Sequence, residues 1–290
     1  MQGAGTAFSA VPEPAAKRLV EITSDGPALS RAALRELWEF KDVFAAFVAR
    51  EVKVRYKQTA IGIGWAFLQP VIAASVFALF LGHLAHVQSE DSPYLLFALA
   101  GTIVWNYFSS ALNLAAQSLV MNQTLLRKIF FPREILPLYA VVASIVDLLP
   151  GLLVLIVVAL VYGVTPVLAW LLLPLPLLIA VAAATGLGIL LSAINVYYRD
   201  VRYALPFILQ VGLFATPVVY SLSAVPEPWR TVYAVLNPIS TAIDSTRRIV
   251  IHGEAPNWPL ALGALSWSIL VAIVGYAIFK RLERSFADRV

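Results

Sequence analysis

The sequence predicts an all-α, polytopic membrane protein with six transmembrane helices, and three observations carry that expectation. The chain is 60% hydrophobic and 13% charged, against ~45–50% apolar and ~25% charged in an ordinary soluble domain; its mean hydropathy is +0.81. Six apolar stretches, at about residues 61–85, 94–120, 139–162, 168–193, 203–222 and 260–279, approach or exceed the length of about 20 residues that covers a hydrocarbon core. Lys and Arg fall mostly on one side of these stretches. Nine precede the first, three lie between the second and third, two between the fourth and fifth, and four follow the sixth. Only Arg230, Arg247 and Arg248 of the 21 lie opposite. By the positive-inside rule both termini are then cytoplasmic, and an odd number of spans would scramble the asymmetry.

Composition also excludes several chemistries. There is no cysteine, so neither disulfides nor thiolate metal sites exist. His83, His86 and His252 come without carboxylates at metal spacing; His83 and His86, at i, i+3 near the outer end of a span, read as interfacial. The net charge of +4 could serve nucleic acid, but the basic residues cluster at the ends of apolar runs, where topology and anionic lipid explain them. None of the six lysines is followed by Ser or Thr, so there is no phosphate-binding P-loop. His-Glu-x-x-His and Gly-x-Ser-x-Gly are absent as well. No catalytic site is expected in this chain, and any ATP-driven step needs another polypeptide.

Taken in order, residues 1–30 are rich in Ala, Gly, Pro and Ser, lack the apolar core of a signal peptide, and read as a flexible cytoplasmic tail. Residues 31–58, after Ser30 as N-cap, read as an amphipathic helix. Leu37, Phe40, Phe44, Phe47 and Val48 share one face, and Arg35, Glu39, Asp42, Arg50, Lys53 and Lys57 share the other. Lys41, Glu51 and Arg55 fall near the edges of that stripe. So polar a helix cannot span; it lies along the cytoplasmic membrane surface, packs on a soluble partner, or does both.

Residues 59–285 form the six-span domain. In the second span Thr102, Asn106, Ser110, Asn113 and Gln117 recur at spacings of three and four, along a single face. Polar side chains are costly against lipid, so this face hydrogen-bonds to neighbouring helices or lines a sugar-conducting path. Asp147 is the only acidic residue deep within a span. It is either a partner for a nearby polar group or a proton carrier. Pro70, Pro150, Pro174, Pro176, Pro206 and Pro217 fall within spans, where each can kink its helix.

Between spans five and six, residues 223–257 carry two apolar patches, 229–236 and 239–251, separated by Asn237-Pro238. Both are too short to cross, so two re-entrant half-helices are expected. Asp244 stands at i, i+3 and i, i+4 from Arg247 and Arg248, spacings that can pair charges. Residues 280–290 form a basic cytoplasmic C-terminal tail.

Four stretches, in this order, resemble one known family: Arg55-Tyr-Lys-Gln-Thr-Ala-Ile-Gly-Ile-Gly-Trp65 through Leu68-Gln-Pro70, Arg127-Lys-Ile-Phe-Phe-Pro-Arg-Glu-Ile-Leu-Pro137, Tyr198-Arg-Asp200 and Leu236-Asn-Pro-Ile239. The family is the membrane permease of type-2 ATP-binding-cassette exporters for O-antigen, capsule or teichoic acid polymers, and the likeness covers roughly residues 34–285. The resemblance implies a homodimer in the bacterial inner membrane, joined by two copies of a separate ATPase subunit that bind ATP and Mg. A lipid-linked polysaccharide would pass from cytoplasm to periplasm between the two halves.

The resemblance also makes residues 122–134 a coupling helix, with Leu126, Arg127, Lys128, Phe130, Phe131, Arg133 and Glu134 as ATPase contacts, together with Arg199 and Asp200. Trp65, Trp105, Tyr107, Asn106, Asn113, Phe207, Phe214 and Tyr220 become channel candidates. Trp229, Asn237, Pro238, Asp244, Arg247 and Arg248 become candidates for an exit gate, with Arg247 and Arg248 available to an anionic headgroup or diphosphate. Membrane lipid is a partner; nucleic acid and metal are not. Two other classes compete: an ion-coupled secondary transporter using Asp147, and a membrane transferase, which lacks its metal-binding carboxylates here.

Overall fold

Helical periodicity in the sequence becomes helix along almost the whole chain in the computed structural model, which describes residues 35, 37–57, 61–85, 92–129, 131–283 and 286. The expected tail at 1–30, Ser30, His86 and Phe130 lie outside the described residues. The helices are α1 (Lys41–Tyr56), α2 (Gly64–Phe77, continued by a wide π-helical turn to Leu84), α3 (Tyr94–Met121), α4 (Gln123–Lys128) and α5 (Ile135–Val161). They are followed by α6 (Pro174–Tyr197, preceded by a 3-10 turn at Leu168–Leu172), α7 (Val201–Ala215), α8 (Glu227–Leu236), α9 (Pro238–Arg247) and α10 (Trp258–Glu283). Among the described residues no strand occurs.

Five helices are long and apolar enough to cross a membrane: Gly64–Leu84, Tyr94–Met121, Ile135–Val161, Leu168–Tyr197 and Trp258–Glu283. The chain is thus a multi-pass membrane protein. The expected fifth span, 203–222, departs from the sequence reading, because α7 stops at Ala215 after 15 residues. At 1.5 Å per residue that is about 22 Å, short of the ~30 Å hydrocarbon core. The stop has a local cause. Thr216 precedes Pro217 and adopts an extended conformation, φ −93° and ψ 144°, as the ring of a following proline favours.

α3 is the centre of the bundle, with 18 of its 28 residues buried. It packs chiefly on α5 and α6, and α6 packs in turn on α10. Apolar attraction between helices is weak in lipid, so close packing rests on small residues. The α6–α10 crossing is an example: a Cβ added at Gly186 would lie 2.7 Å from the backbone nitrogen of Ala272, and one at Gly275 would lie 2.6 Å from the carbonyl oxygen of Gly186. The bundle is also tied by polar bonds, including Asn195 Nδ2 donating to the Ala116 carbonyl at 2.9 Å between α6 and α3.

The apolar stripe foreseen on the first helix is the face that α1 turns to the bundle. Phe47 is buried and stacks on Tyr139 of α5, ring centroids 5.2 Å apart and planes 13° from parallel. Leu37, Phe40, Phe44 and Val48 pack half-buried around it.

Candidate substrate cavity and coupling surfaces

The polar face of α3 opens into a cavity of about 550 Å³ bounded by the end of α1, the start of α2 and the middle of α5. Asn106, Ser110, Asn113 and Gln117 line it; Thr102, one turn further out, bonds only its own helix, Oγ1 to the Leu99 carbonyl at 3.1 Å. These four side chains face the cavity, and Gln117 Nε2 donates to Asn113 Oδ1 at 2.8 Å within the helix. The remaining amide capacity faces open space.

Where α1 meets this cavity, Asp147 of α5 receives two groups from it. The Arg55 guanidinium forms an ion pair with it and the Tyr56 hydroxyl donates to it. Side-chain exposures of 25% for Arg55 and 30% for Asp147 make the pair half-buried rather than superficial. Glu51 supports Arg55 from one turn away, at 3.7 Å. Burial, reinforced by the neighbouring carboxylate, pushes the Tyr56 phenol well up, so Tyr56 remains a neutral donor. The turn leading into α2 needs Gly62, whose φ is +60°, a conformation that glycine adopts without steric penalty. Trp65 and Gln69 follow on the cavity wall.

Of the eight channel candidates, Trp65, Asn106, Tyr107 and Asn113 line the cavity. The Tyr107 hydroxyl is buried with no hydrogen-bond partner. The other four lie elsewhere. Trp105 is turned about 100° round the helix from Asn106, packs on Phe108 at 5.7 Å and closes over Gly212 of α7. Phe207 and Phe214 project from the outer face of α7, 67% and 60% exposed. Tyr220 sits beyond the end of α7, its hydroxyl on the Ala215 carbonyl at 3.1 Å.

The segment between α3 and α5 differs from the expected coupling helix over 122–134. Only Gln123–Lys128 is helical, and Ile129 after it is extended, with φ −129° and ψ 135°. Arg127, Lys128 and Ile129 are exposed at its end and Leu126 is half-buried. Phe131, expected to enter a partner, is instead 4% exposed and packs on Phe47 with ring centroids 5.8 Å apart; the aromatic pocket made by α1 and α5 takes it.

Arg133 and Glu134 also turn inward. Arg133 Nη1 donates to the Glu283 carbonyl at 2.9 Å. Glu134, 2% exposed, accepts from Lys280 at 2.9 Å and from the Tyr276 hydroxyl at 3.1 Å. Arg199 and Asp200 are exposed between α6 and α7. The loop is fastened to α1 at a second point, where Asn122 Oδ1 accepts from Arg50 Nη2 at 3.1 Å.

Beyond α7, two ten-residue helices, α8 and α9, meet at Asn237-Pro238, with Pro238 as the first residue of α9. Asn237 Nδ2 reaches Thr216 Oγ1 at 2.9 Å, linking this corner to the end of α7. Trp229 is 68% exposed and Asp244 is half-buried. Arg247 is not presented to a headgroup: it is 2% exposed. Its Nε donates to the Phe97 carbonyl at 3.3 Å, Nη1 to Pro217 at 2.9 Å and Tyr220 at 3.1 Å, and Nη2 to Val218 at 2.6 Å. Its guanidinium carbon lies 3.5 Å from the centre of the Phe97 ring. The break in α7 leaves carbonyls without helical partners, and a planar fork of donors satisfies several at once. Arg248 pairs with Glu254 at 2.6 Å.

Sequence reasoning missed the partners of Asp147, which lie 92 and 91 residues away along the chain. A cue was present, since Arg55 sits off the polar stripe of its helix.

A family model described as "ABC-2 type transporter" matches residues 42–251. The O-antigen export system permease protein RfbA of Myxococcus xanthus is 28% identical over 258 residues, covering 89% of this chain and 98% of the relative. An O-antigen export system permease protein RfbA of Klebsiella pneumoniae is 27% identical, covering 85% and 94%. The polysialic acid transport protein KpsM of Escherichia coli is 22% identical, covering 83% and 93%.

Proposed function

Because this chain belongs to the ABC-2 type transporter family, we propose that it is the membrane-spanning subunit of an ATP-driven exporter of a lipid-linked polysaccharide, with O-antigen of lipopolysaccharide as the favoured cargo. The polymer moves from cytoplasm to periplasm between two copies of this chain. ATP and Mg are bound by two copies of a separate ATPase, which dock on the exposed end of α4 and the Arg199-Asp200 loop. In this reading the chain lies in the bacterial inner membrane with both termini cytoplasmic, α7 with the irregular segment after it completes a sixth crossing, and α8 and α9 dip into the outer leaflet as a gate.

One observation carries the reading. A cavity lined by amides, hydroxyls and an indole lies within an otherwise apolar bundle, an arrangement that is expensive in lipid unless it holds polar cargo. The ion-coupled alternative loses ground, since Asp147 is engaged by Arg55 and Tyr56. The test is export itself. Bacteria lacking this chain should accumulate polymer inside and regain surface polymer when it is restored with its ATPase, while the purified chain alone hydrolyses no ATP. Transport in energised vesicles without ATP, abolished by Asp147→Asn, would overturn the proposal in favour of ion coupling.

A further inference from the structure

Among the described residues, the charges that line the cavity are engaged from within. Arg55 and Asp147 are the two charged residues lining the cavity, and they pair with each other. The rest of the polar wall is neutral, with amides such as Gln69, Asn106 and Asn113 and the buried Tyr107 hydroxyl. The three arginines beyond the cavity are committed too. Arg247 is spread over backbone carbonyls, Arg248 holds Glu254, and Arg230 donates to the carbonyls of Ser223 at 3.0 Å and Val225 at 3.1 Å.

A polyanion drawn into a low-dielectric cavity needs a cation within reach of each acidic group, because an unpaired buried charge costs several kcal/mol. A neutral glycan needs only hydrogen-bonding partners for its hydroxyls and flat apolar surface for its rings, which amides and Trp65 supply. We infer that the polymer this chain carries is uncharged along its length, without a carboxylate or phosphate on each repeat. The inference rests on the exporter reading above and narrows its substrate.

The test uses the full-length chain with its ATPase in a bacterial host stripped of its own exporters. The host makes either a neutral hexose polymer or polysialic acid, each on the same lipid carrier and with the same terminal group. Surface polymer is measured by antibody binding, and the polysialic acid transport relative serves as the control for acidic export. The expected result is abundant neutral polymer at the surface and polysialic acid lower by about tenfold or more, as the cost of an uncompensated charge implies. Ser110→Lys, on the exposed part of the cavity wall, should raise the acidic-to-neutral ratio several-fold; an unchanged ratio in a folded variant overturns the electrostatic account. Equal export of both polymers by the unmodified chain overturns the inference and leaves the exporter reading standing. Export of neither removes the exporter reading and this inference with it.

Discussion

The guanidinium of Arg55, on helix α1, pairs with the carboxylate of Asp147 in the middle of the long apolar helix α5. The pair fastens a helix too polar to cross the bilayer to the edge of the polar cavity. Breaking it from one side leaves the other charge half-buried and unmatched.

Asp147→Asn and Arg55→Gln are each expected to destabilise the protein by about 2 kcal/mol, below the 3–5 kcal/mol of a fully buried pair because water reaches both groups. The double variant should lose less than the two single losses combined. Thermal unfolding in detergent checks this, and additive effects would show that the contact contributes no coupling.

Phe131→Ala should lower stability by about 3 kcal/mol, since the ring fills an internal pocket against Phe47. Arg127→Glu with Lys128→Glu should leave the melting temperature within about 1 °C, as for an exposed surface, while reducing co-purification with the ATPase. A stable Phe131→Ala chain that fails to bind the ATPase would place that ring at the docking surface after all.

Arg247→Lys should be nearly as damaging as Arg247→Ala, each costing about 2–4 kcal/mol, because an ammonium cannot reproduce a fork shared among four carbonyls. The readout is the yield of folded protein and its melting temperature. Full stability in the lysine variant would mean that charge alone suffices.

Gly101→Ala should destabilise by about 1–3 kcal/mol, because the added methyl would sit 2.2 Å from the Val218 carbonyl oxygen and 2.7 Å from Arg247 Nη2. Most of its effect should persist in an Arg247→Ala background, because the tighter clash is with the backbone of Val218. The same melting measurement decides it.

What could be read from the sequence follows the range of the forces involved. Long apolar runs and the lopsided cations specify spans, and five of the expected six coincide with long helices, beginning at Gly64, Tyr94, Ile135, Leu168 and Trp258. The polar face of α3 was legible because 3.6-residue periodicity is local. Its function as a wall was not, since that depends on which neighbour faces it. Phe131 carries no local sign of burial; the Phe47–Tyr139 pocket, assembled from α1 and α5, draws it inward. Arg247 read as an exposed cation for the same reason. Its carbonyl partners arise from a helix break 30 residues upstream, and an arginine next to Arg248 gives no local sign of burial.

That break bears on how the protein is made. The peptide groups after Ala215 emerge from the ribosome well before Arg247, the side chain that later receives Pro217, Val218 and Tyr220. During synthesis this segment is therefore left unfinished, and its backbone must stay hydrated or sheltered until the chain has grown some thirty residues further. The C-terminal end of the fifth apolar segment is thus set late, by a residue translated after it, and chains truncated between the two should be held back or degraded rather than seated in the bilayer.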